Sequence, residues 1–342
     1  MRSVALGLVV ALAVSGCARF DDRLDSPFTP AQGPGMGAPP PSAPPGQREP
    51  DQPPTTSEPA VEPAEPGPCD DPDPAVIATC LEPAVAVAGI GEKALLAEEG
   101  GRIRVVSVDA DPEDFGRVDP RGGRVAAVAP SPDFAEDRLV YVLVVGDGPT
   151  RIERLARGDA PRTVAELAPA ASGGLAFVDD LLTVAVGGEL LRFPDFTGVG
   201  RAERPEILAR DLGEVRGLCT VDGEVFLTAS TGRGVVARTP DRVVWTWPEQ
   251  RAVGGCAALP DSLSVALPDA ERVDTLATSG GAAQGQPESR AEERYGRLTG
   301  LTALTEGLLL AGTTNKDGGE PVATDDRAVI LPDTGGGGEA RV

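Results

Sequence analysis

The fold of this chain is indicated by the stretch VAVAGIGEKALLAEEGGRIRVV, residues 85–106. It contains three short apolar strands, and the turns between them carry Gly91 and the pair Gly100-Gly101. Short apolar strands that are bounded by glycine turns are typical of antiparallel β-structure. The stretch therefore predicts one unit of an all-β protein rather than a helical segment.

The same pattern recurs five more times along the chain. Its six copies begin at Val85, Val125, Gly174, Gly217, Gly255 and Leu298. The starts lie about 37 to 49 residues apart, close to the ~40–45 residues of a four-stranded propeller blade. We therefore predict a six-bladed β-propeller over residues 69–333. A pair of β-sandwiches is the alternative, and the near-equal spacing of the copies argues against it.

The composition narrows the classes of function that the chain can have. It has 53 acidic against 31 basic residues, a net charge of -22 and no histidine. This excess of negative charge argues against a nucleic-acid surface and against electrostatic attachment to anionic lipid. The missing histidine excludes zinc sites of the histidine type and Ser-His-Asp catalysis.

The first residues, 1–16, have the pattern of a lipoprotein signal peptide. Arg2 precedes an apolar run from Val4 to Val14 that is too short to span a bilayer. The run ends in VSGC, residues 14–17, which resembles a bacterial lipobox; an ordinary signal peptide with a chance cysteine is the alternative. We expect a lipidated Cys17 to hold the mature chain on the extracytoplasmic face of the cell membrane.

Residues 17–68 are predicted to be a disordered, proline-rich tether. They include a PPP run at 39–41 and repeated Glu-Pro pairs, with almost no bulky apolar residues. A spacer between the lipid anchor and the propeller is the preferred interpretation, and recognition of the prolines by a partner is the alternative. Residues 334–342 form a Gly-rich tail after the last predicted strand.

Four cysteines remain beyond Cys17, and they fall into two pairs. Cys219 and Cys256 occupy the same place in adjacent repeats, where the innermost strands of neighbouring blades would lie side by side. Cys69 and Cys80 bracket a short segment that we expect to form a small loop before the first blade. An exported chain favours two disulfides, and free thiols are the alternative.

Three stretches resemble glucose/sorbosone dehydrogenases, which are quinoprotein-type six-bladed propellers. They are LAEEGGRIRV at residues 96–105, RVAAVAPSPDFAEDRLVYV at 124–142 and TTNKDGGEPVATDDRAV at 313–329. The stretches follow the order of the family's first, second and last blades. The whole chain, with its lipobox and tether, resembles the lipid-anchored members of actinobacterial envelopes. The resemblance implies a sugar dehydrogenase that uses pyrroloquinoline quinone (PQQ) and Ca²⁺.

The active-site motifs that the resemblance implies are not retained. Ala170, in the segment AASGGLAF at residues 170–177, stands where the resemblance places the catalytic histidine. Gly213–Leu218 replaces a polar cofactor-facing segment, and Gly187–Glu189 replaces a calcium-associated Gly-Asp pair. Alcohol oxidation by the quinone needs a base that accepts the hydroxyl proton, and alanine cannot do this. We therefore expect no catalytic residue and no bound cofactor.

Acidic segments are the remaining candidates for a ligand site. Asp70–Asp73 and Asp109–Asp114 have alternating oxygens, but neither completes a calcium-loop motif, so we predict solvated turns and no metal site. A better candidate lies between the last two predicted strands. This candidate rim consists of Asn315, Asp317, Asp325, Asp326 and Arg327. A structural ion-pair network is the alternative for these residues.

These observations predict a lipid-anchored propeller that binds or scaffolds an unknown ligand or protein of the cell envelope without performing chemistry. The alternative is a divergent PQQ-dependent sugar or aldehyde dehydrogenase with Glu or Asp as its base. A fold alone does not decide between these two functions. Converging carboxylates and a cationic clamp in the axial funnel would favour the dehydrogenase, and an apolar plug would favour the binding protein.

Overall fold

The computed structural model describes residues 69–196, 201–202, 204–305 and 307–332. Cys17, the rest of the predicted tether and the Gly-rich tail lie outside the described residues. In the described part, 25 strands, numbered β1–β25 in chain order, form six antiparallel sheets. No helix within these ranges is long and apolar enough to cross a membrane.

Each sheet is one blade of a propeller, with its strands arranged from the axis outward. Blade 1 contains β2 (Ala84–Ile90), β3 (Lys93–Glu98), β4 (Arg102–Ser107) and β5 (Ala110–Arg117). Blade 2 contains β6 (Arg124–Pro130), β7 (Leu139–Val145), β8 (Thr150–Ala156) and β9 (Arg162–Leu167). A single helical turn, α1 (Phe134–Asp137), lies between β6 and β7.

The next three blades continue this order. Blade 3 contains β10 (Gly173–Val178), β11 (Leu181–Val186), β12 (Glu189–Phe193) and β13 (Glu206–Ala209). Blade 4 contains β14 (Glu214–Val221), β15 (Glu224–Thr231), β16 (Gly234–Arg238) and β17 (Val243–Trp247). Blade 5 contains β18 (Cys256–Leu259), β19 (Ser262–Leu267), β20 (Arg272–Ser279), β21 (Ala282–Ala283) and β22 (Glu288–Arg290), the last two both pairing with β20.

Blade 6 is completed by a strand from the opposite end of the described chain. It contains β23 (Leu298–Thr305), β24 (Leu308–Thr313), β25 (Ala328–Pro332) and, outermost, β1 (Val76–Ala78). In the pairing of β1 with β25, Val76 lies opposite Val329 and Ala78 lies opposite Ala328. The predicted six-bladed propeller is therefore confirmed, and its ring is closed by hydrogen bonds between the first and last described strands.

The second strand of each blade is mostly apolar and buried because neighbouring blades cover both of its faces. In β7, with the sequence LVYVLVV, six of the seven residues are buried, and all six residues of β19 are buried. A strand covered on both faces has a continuous apolar sequence instead of alternating with polar residues. These runs are the ones that mark the repeats in the sequence.

The innermost strands carry small residues near their starts because they crowd around the propeller axis. A Cβ added to Gly174 of blade 3 would lie 2.7 Å from the Cβ of Leu218 in blade 4. A Cβ on Gly300 of blade 6 would lie 3.1 Å from backbone atoms of Ala86 and Val87 in blade 1. Only glycine permits this approach between blades, which explains the small residues at the starts of the repeats.

Both predicted disulfides are present. Cys219 of β14 and Cys256 of β18 join the innermost strands of blades 4 and 5, with their Cα atoms 5.7 Å apart. Cys69 and Cys80 are joined with a Cα–Cα distance of 5.6 Å. As expected, this second pair closes a small loop that precedes the first blade in the chain. The loop also contains β1, so the disulfide holds the outer strand of blade 6 in place.

Candidate ligand-binding site

A cavity of about 250 Å³ lies on the propeller axis at the end where the innermost strands begin. Residues of all six blades line this cavity, which is termed the axial mouth. They come from the first positions of the innermost strands and from the loops that lead into them. Such a converging funnel is the usual place for a ligand in a fold of this kind.

Four arginines dominate the charge of the axial mouth. They are Arg124, Arg216, Arg251 and Arg297. Two carboxylates, Glu214 and Asp317, share the lining with them. The mouth therefore has more positive than negative side chains, in a chain whose net charge is -22. A local surplus of positive charge in a low-dielectric funnel attracts anions.

Each of these arginines is held by contacts to part of its guanidinium group. Arg124 donates to the carbonyl of Ala171 at 2.8 Å and lies 3.9 Å from Glu99, and Arg216 forms an ion pair with Glu214. An Nη atom of Arg297 lies 3.4 Å from Asp269. These contacts use only part of the five N–H donors that a guanidinium carries, so the groups keep donor capacity for a ligand.

Arg251 differs from the other three because its described contacts include no carboxylate. Its Nη1 donates to the backbone carbonyls of Pro248 at 2.8 Å and Gln250 at 3.1 Å. These bonds orient the guanidinium without neutralising its charge. In Arg297, the buried Nε has no hydrogen-bond partner among the described residues. Arg251 is therefore the mouth arginine whose charge is least compensated by the described contacts.

A signal for these arginines was present in the sequence, although the sequence analysis did not name them as a site. Arg124, Arg216 and Arg297 directly precede the starts of the second, fourth and sixth repeats at Val125, Gly217 and Leu298. Since corresponding positions of all repeats meet at the axis, arginines at one repeat position must converge. Arg251 has no such signal because its loop places it four residues before its repeat begins.

Below the mouth, the axial channel narrows to a space of about 40 Å³. The lining of this neck is apolar except for Arg216, and it includes Val87, Leu175, Leu218 and Leu301. The funnel therefore combines the two features that were expected to discriminate between the two functions. Its entrance is cationic, and its neck is narrow and lined mainly by apolar side chains.

The three segments that depart from the dehydrogenase motifs lie around the mouth. A groove of about 490 Å³ beside it is lined by residues 171–172, 187–189 and 213–214, together with Arg210 and Asp211. Ala170 lies at the edge of this face, where its carbonyl accepts a hydrogen bond of 3.0 Å from the N–H of Gly146. The fold thus brings together the segments that the sequence analysis singled out, with a methyl group at the implied base position.

PQQ and Ca²⁺ are the groups that the fold family implies, and the residues fit them only in part. The four arginines suit the carboxylates of the quinone. No cluster of three or more His, Cys, Asp or Glu side chains suited to a metal ion occurs among the described residues. The chain also has no histidine, so the site lacks the base that the resemblance implies for the quinone reaction.

The five residues of the candidate rim in the last repeat do not lie together at one surface. Asn315, Asp325, Asp326 and Arg327 are buried, whereas Asp317 is exposed and lines the axial mouth. The four buried residues stabilise the long loop between β24 and β25. This placement favours the structural ion-pair interpretation for these four, and only Asp317 lies where a ligand at the mouth would meet it.

Asp326 organises the turn that follows β24. Its Oδ1 accepts hydrogen bonds from the backbone N–H groups of Asn315 at 2.6 Å and Lys316 at 3.4 Å. Burial raises the pKa of Asp326 above its usual value, and the neighbouring Asp325 adds to the rise, against the effect of these hydrogen bonds. The carboxylate therefore carries its charge at a cost that the surrounding donors only partly offset.

Arg327 connects the same loop to the N-terminal segment. Its Nε lies 2.7 Å from Oδ1 of Asp325, an ionic contact rather than a well-aligned hydrogen bond. Its Nη1 lies 3.3 Å from Asp71, and its Nη2 donates to the carbonyl of Tyr295. The acidic segment that includes Asp71 thus pairs with blade 6 rather than forming a calcium loop.

The fold and the axial mouth together define a six-bladed β-propeller with an arginine-lined funnel. Solved structures with this fold include the PQQ-bound aldose sugar dehydrogenase of Streptomyces coelicolor, with 22% identity and a TM-score of 0.62 over 75% of this chain and 96% of that chain. A second is a Thermus thermophilus protein described as a putative oxidoreductase (glucose dehydrogenase), with 23% identity and a TM-score of 0.63 over 75% of this chain and 98% of the other.

A third is the soluble aldose sugar dehydrogenase of Escherichia coli in its apo-form, with 17% identity and a TM-score of 0.62 over 75% of this chain and 98% of that chain. No protein-family model and no curated protein sequence matches the chain. At these identities the comparisons establish the fold. The predicted resemblance to sugar-dehydrogenase propellers is confirmed at that level.

Proposed function

We propose that this chain is a non-catalytic binding protein of the cell envelope that holds an anionic ligand in its axial mouth. The observation that carries the proposal is the convergence of four arginines, from the loops and inner strands of blades 2, 4, 5 and 6, on one funnel. Guanidinium groups bind carboxylates and phosphates through paired N–H donors. The local excess of arginines at the mouth would offset there the repulsion that the acidic remainder of the chain exerts on an anion.

Attachment to the membrane is part of the same proposal. A lipidated Cys17, followed by the proline-rich tether, would hold the propeller on the extracytoplasmic face. A tether of roughly fifty residues in an extended, polyproline-like state reaches up to ~150 Å. The two disulfides support an oxidising location of this kind, because they persist mainly outside the cytoplasm.

The alternative function is that of a divergent PQQ-dependent sugar or aldehyde dehydrogenase. It is favoured by the similarity to a PQQ-bound aldose sugar dehydrogenase and by arginines that suit a quinone bearing carboxylates. It would require Glu214 or Asp317 to act as the base. A carboxylate works as a general base near neutral pH when it is enclosed in apolar surroundings, whereas Glu214 forms an ion pair with Arg216 and Asp317 is exposed. The binding function is therefore preferred.

Calorimetric titration of the full-length protein in detergent with citrate, inorganic phosphate and PQQ would test the binding function. We expect the two tricarboxylates to bind more tightly than phosphate, because they can engage several arginines at once. The double variant Arg216→Gln/Arg251→Gln should weaken citrate binding at least about tenfold. The charge-matched control, Arg157→Gln/Arg201→Gln, removes two exposed arginines that do not line the mouth and should leave binding unchanged. The absence of any anion binding, or equal affinities in both double variants, would contradict the proposal.

A further inference from the structure

The end of the propeller axis opposite the axial mouth has a second depression with different chemistry. It has a volume of about 460 Å³ and is lined by the last residues of the innermost strands and by the turns that follow them. Pro132, Phe177 and Leu304 contribute to its wall, and no charged side chain is among the described residues that line it. This depression is termed the apolar bowl.

Acidic side chains surround the apolar bowl. They lie in the connections between the first and second strands of blades 1 to 5, all are exposed, and they are termed the acidic ring. The ring consists of Glu92, Asp133, Asp179, Asp180, Asp222 and Asp261. The connection between the first and second strands therefore carries negative charge in five different blades. This arrangement places a ring of carboxylates around an uncharged centre that is lined mostly by small and apolar side chains, with Ser131, Thr220 and Thr302 among them.

The backbone of these turns does not require carboxylates. Asp179, Asp180 and Asp222 have φ values of 47°, 62° and 49°, in the left-handed region. Asparagine and glycine accept this conformation as readily as aspartate. The turn geometry explains why a short polar residue stands there, but it does not explain why the residue is charged in blade after blade.

Among the described residues, two basic residues, Lys93 and Arg138, lie in or directly beside these connections, and each has another contact. The guanidinium of Arg138 lies over the ring of Phe134, 5.6 Å from its centroid. Arg157 and, to a smaller extent, Lys93 lower the pKa of Glu113 on β5, so the Lys93 charge acts on the outer part of blade 1. The acidic ring therefore keeps a net negative charge toward the bowl.

We propose that the apolar bowl and the acidic ring dock a basic peptide segment of a partner protein, with one apolar side chain inserted into the bowl. Burial of that side chain would supply affinity, and the carboxylates would select a segment rich in lysine or arginine. A second copy of this chain is a poor occupant, because its net charge of -22 would meet a ring of the same sign. This docking surface and the axial mouth lie at opposite ends of the axis, so the two proposals are independent.

Fluorescence anisotropy with the labelled peptide KKWLKK and the full-length protein in detergent would test this docking surface. We expect binding that weakens as salt is raised, because exposed charges contribute to it. The peptides EEWLEE and KKGSKK should bind at least about tenfold more weakly, since one reverses the charge and the other lacks an apolar side chain. Citrate should not compete, because it is expected at the opposite end of the axis.

A triple variant separates the acidic ring from the general acidity of the protein. Asp179→Asn/Asp180→Asn/Asp222→Asn keeps side chains that tolerate the left-handed backbone, and it should weaken KKWLKK binding about tenfold. The control Asp109→Asn/Asp111→Asn/Asp211→Asn removes the same charge at exposed positions outside the ring and should bind the peptide as the wild type does. Ala176→Trp should fill the bowl and abolish binding at low and high salt alike.

Three results would overturn the docking proposal. The first is an affinity for KKWLKK that is no greater than that for EEWLEE. The second is an equal loss of binding in the ring variant and in its control, which would assign the effect to overall charge. The third is sedimentation showing that the protein alone forms a dimer that Ala176→Trp disrupts, which would make a second copy the occupant.

Discussion

The hydroxyl of Tyr295 donates a hydrogen bond of 3.0 Å to Asp73, a residue that lies 222 positions earlier in the chain. Tyr295 precedes the innermost strand of blade 6, and Asp73 precedes β1, the outermost strand of the same blade. Arg294 lies 2.8 Å from the same carboxylate oxygen. Burial, with the hydrogen bond to Asp73 adding to it, raises the pKa of Tyr295 to about 12, so its hydroxyl stays protonated and remains a donor. This contact therefore joins the first and last parts of the described chain, in addition to the pairing of β1 with β25.

The variant Asp73→Asn should lower the free energy of unfolding by about 1 kcal/mol at pH 7. Burial alone would raise the pKa of Asp73, but the N–H of Ala75, the hydroxyl of Tyr295 and the guanidinium of Arg294 together hold it below the usual 3.8. Because the pKa of Asp73 is lower in the folded protein, its ionised carboxylate stabilises the folded state at pH values above the ordinary pKa of 3.8. This stabilisation is lost as the pH falls through the pKa of the folded protein.

Urea unfolding of both proteins at pH 7 and pH 3 would measure this effect, with Asp111→Asn as an exposed control. The difference between wild type and Asp73→Asn should shrink at pH 3. An equal difference at the two pH values would show that the charge of Asp73 plays no part.

Asp326→Asn should have the opposite dependence on pH. Burial raises the pKa of Asp326 in the folded protein, so its protonated form is favoured and stability is lost as the pH rises from 3.8 through the folded pKa. The stability of the asparagine variant minus that of the wild type should therefore be larger at pH 7 than at pH 4. Thermal unfolding followed by circular dichroism at both pH values would measure this, and a pH-independent difference would argue against the raised pKa.

Removal of the disulfide between blades 4 and 5 should destabilise the propeller markedly. For the 37-residue separation of Cys219 and Cys256, the chain-entropy relation gives a loss of roughly 3–4 kcal/mol in the double alanine variant. The 11-residue separation of Cys69 and Cys80 gives a loss roughly 1 kcal/mol smaller. Denaturant unfolding of each double variant, beside non-reducing peptide mapping of the wild type, would check both values. Free thiols at Cys219 and Cys256 would refute the pairing.

The purified protein should not oxidise aldoses or sorbosone when PQQ and Ca²⁺ are added at neutral pH. Ala170 offers no group that accepts a proton, and the chain has no histidine to replace it. Ala170→His should not restore activity, because residues 187–189 and 213–218 also differ from the family's motifs. A dye-linked oxidation assay would measure turnover. Sugar-dependent dye reduction by the wild-type protein would favour the dehydrogenase.

Cys17→Ser should release the protein from the membrane fraction. The lipobox-like sequence that ends at Cys17 predicts acylation there, and acyl chains supply the hydrophobic burial that holds a lipoprotein on a bilayer. Fractionation, together with intact mass of the membrane-bound wild type, would detect the lipid. A wild-type chain without a lipid mass at Cys17, recovered from the soluble fraction, would contradict this prediction.

The sequence was sufficient to predict the repeats, the number of blades and both disulfides. These features depend on local patterns, since each blade is one meander whose apolar second strand repeats at a regular distance along the chain. The fourth strand of each blade was harder to predict. Strand β5, with the sequence ADPEDFGR, is mostly exposed and polar, so it lacks the apolar signal that marks β3.

Other features depended on contacts between residues that are far apart in the chain. The three-residue strand β1 is recognisable only through its pairing with β25, and Arg251 reaches the axial mouth only because its loop leads toward the axis. The residues of the candidate rim are polar in sequence, yet Asp326 and Arg327 are buried among partners that include residues of the N-terminal segment.

The sequence by itself determined that this chain forms a propeller, because apolar periodicity and glycine turns act over short distances. Tertiary structure decided which charged residues meet at the axis and which are buried. Closure of the ring of blades brings the starts of all six innermost strands together at the axis. It also packs the loop between β24 and β25 against the N-terminal segment. A charged side chain then becomes part of a binding site or part of the core according to its neighbours from other blades.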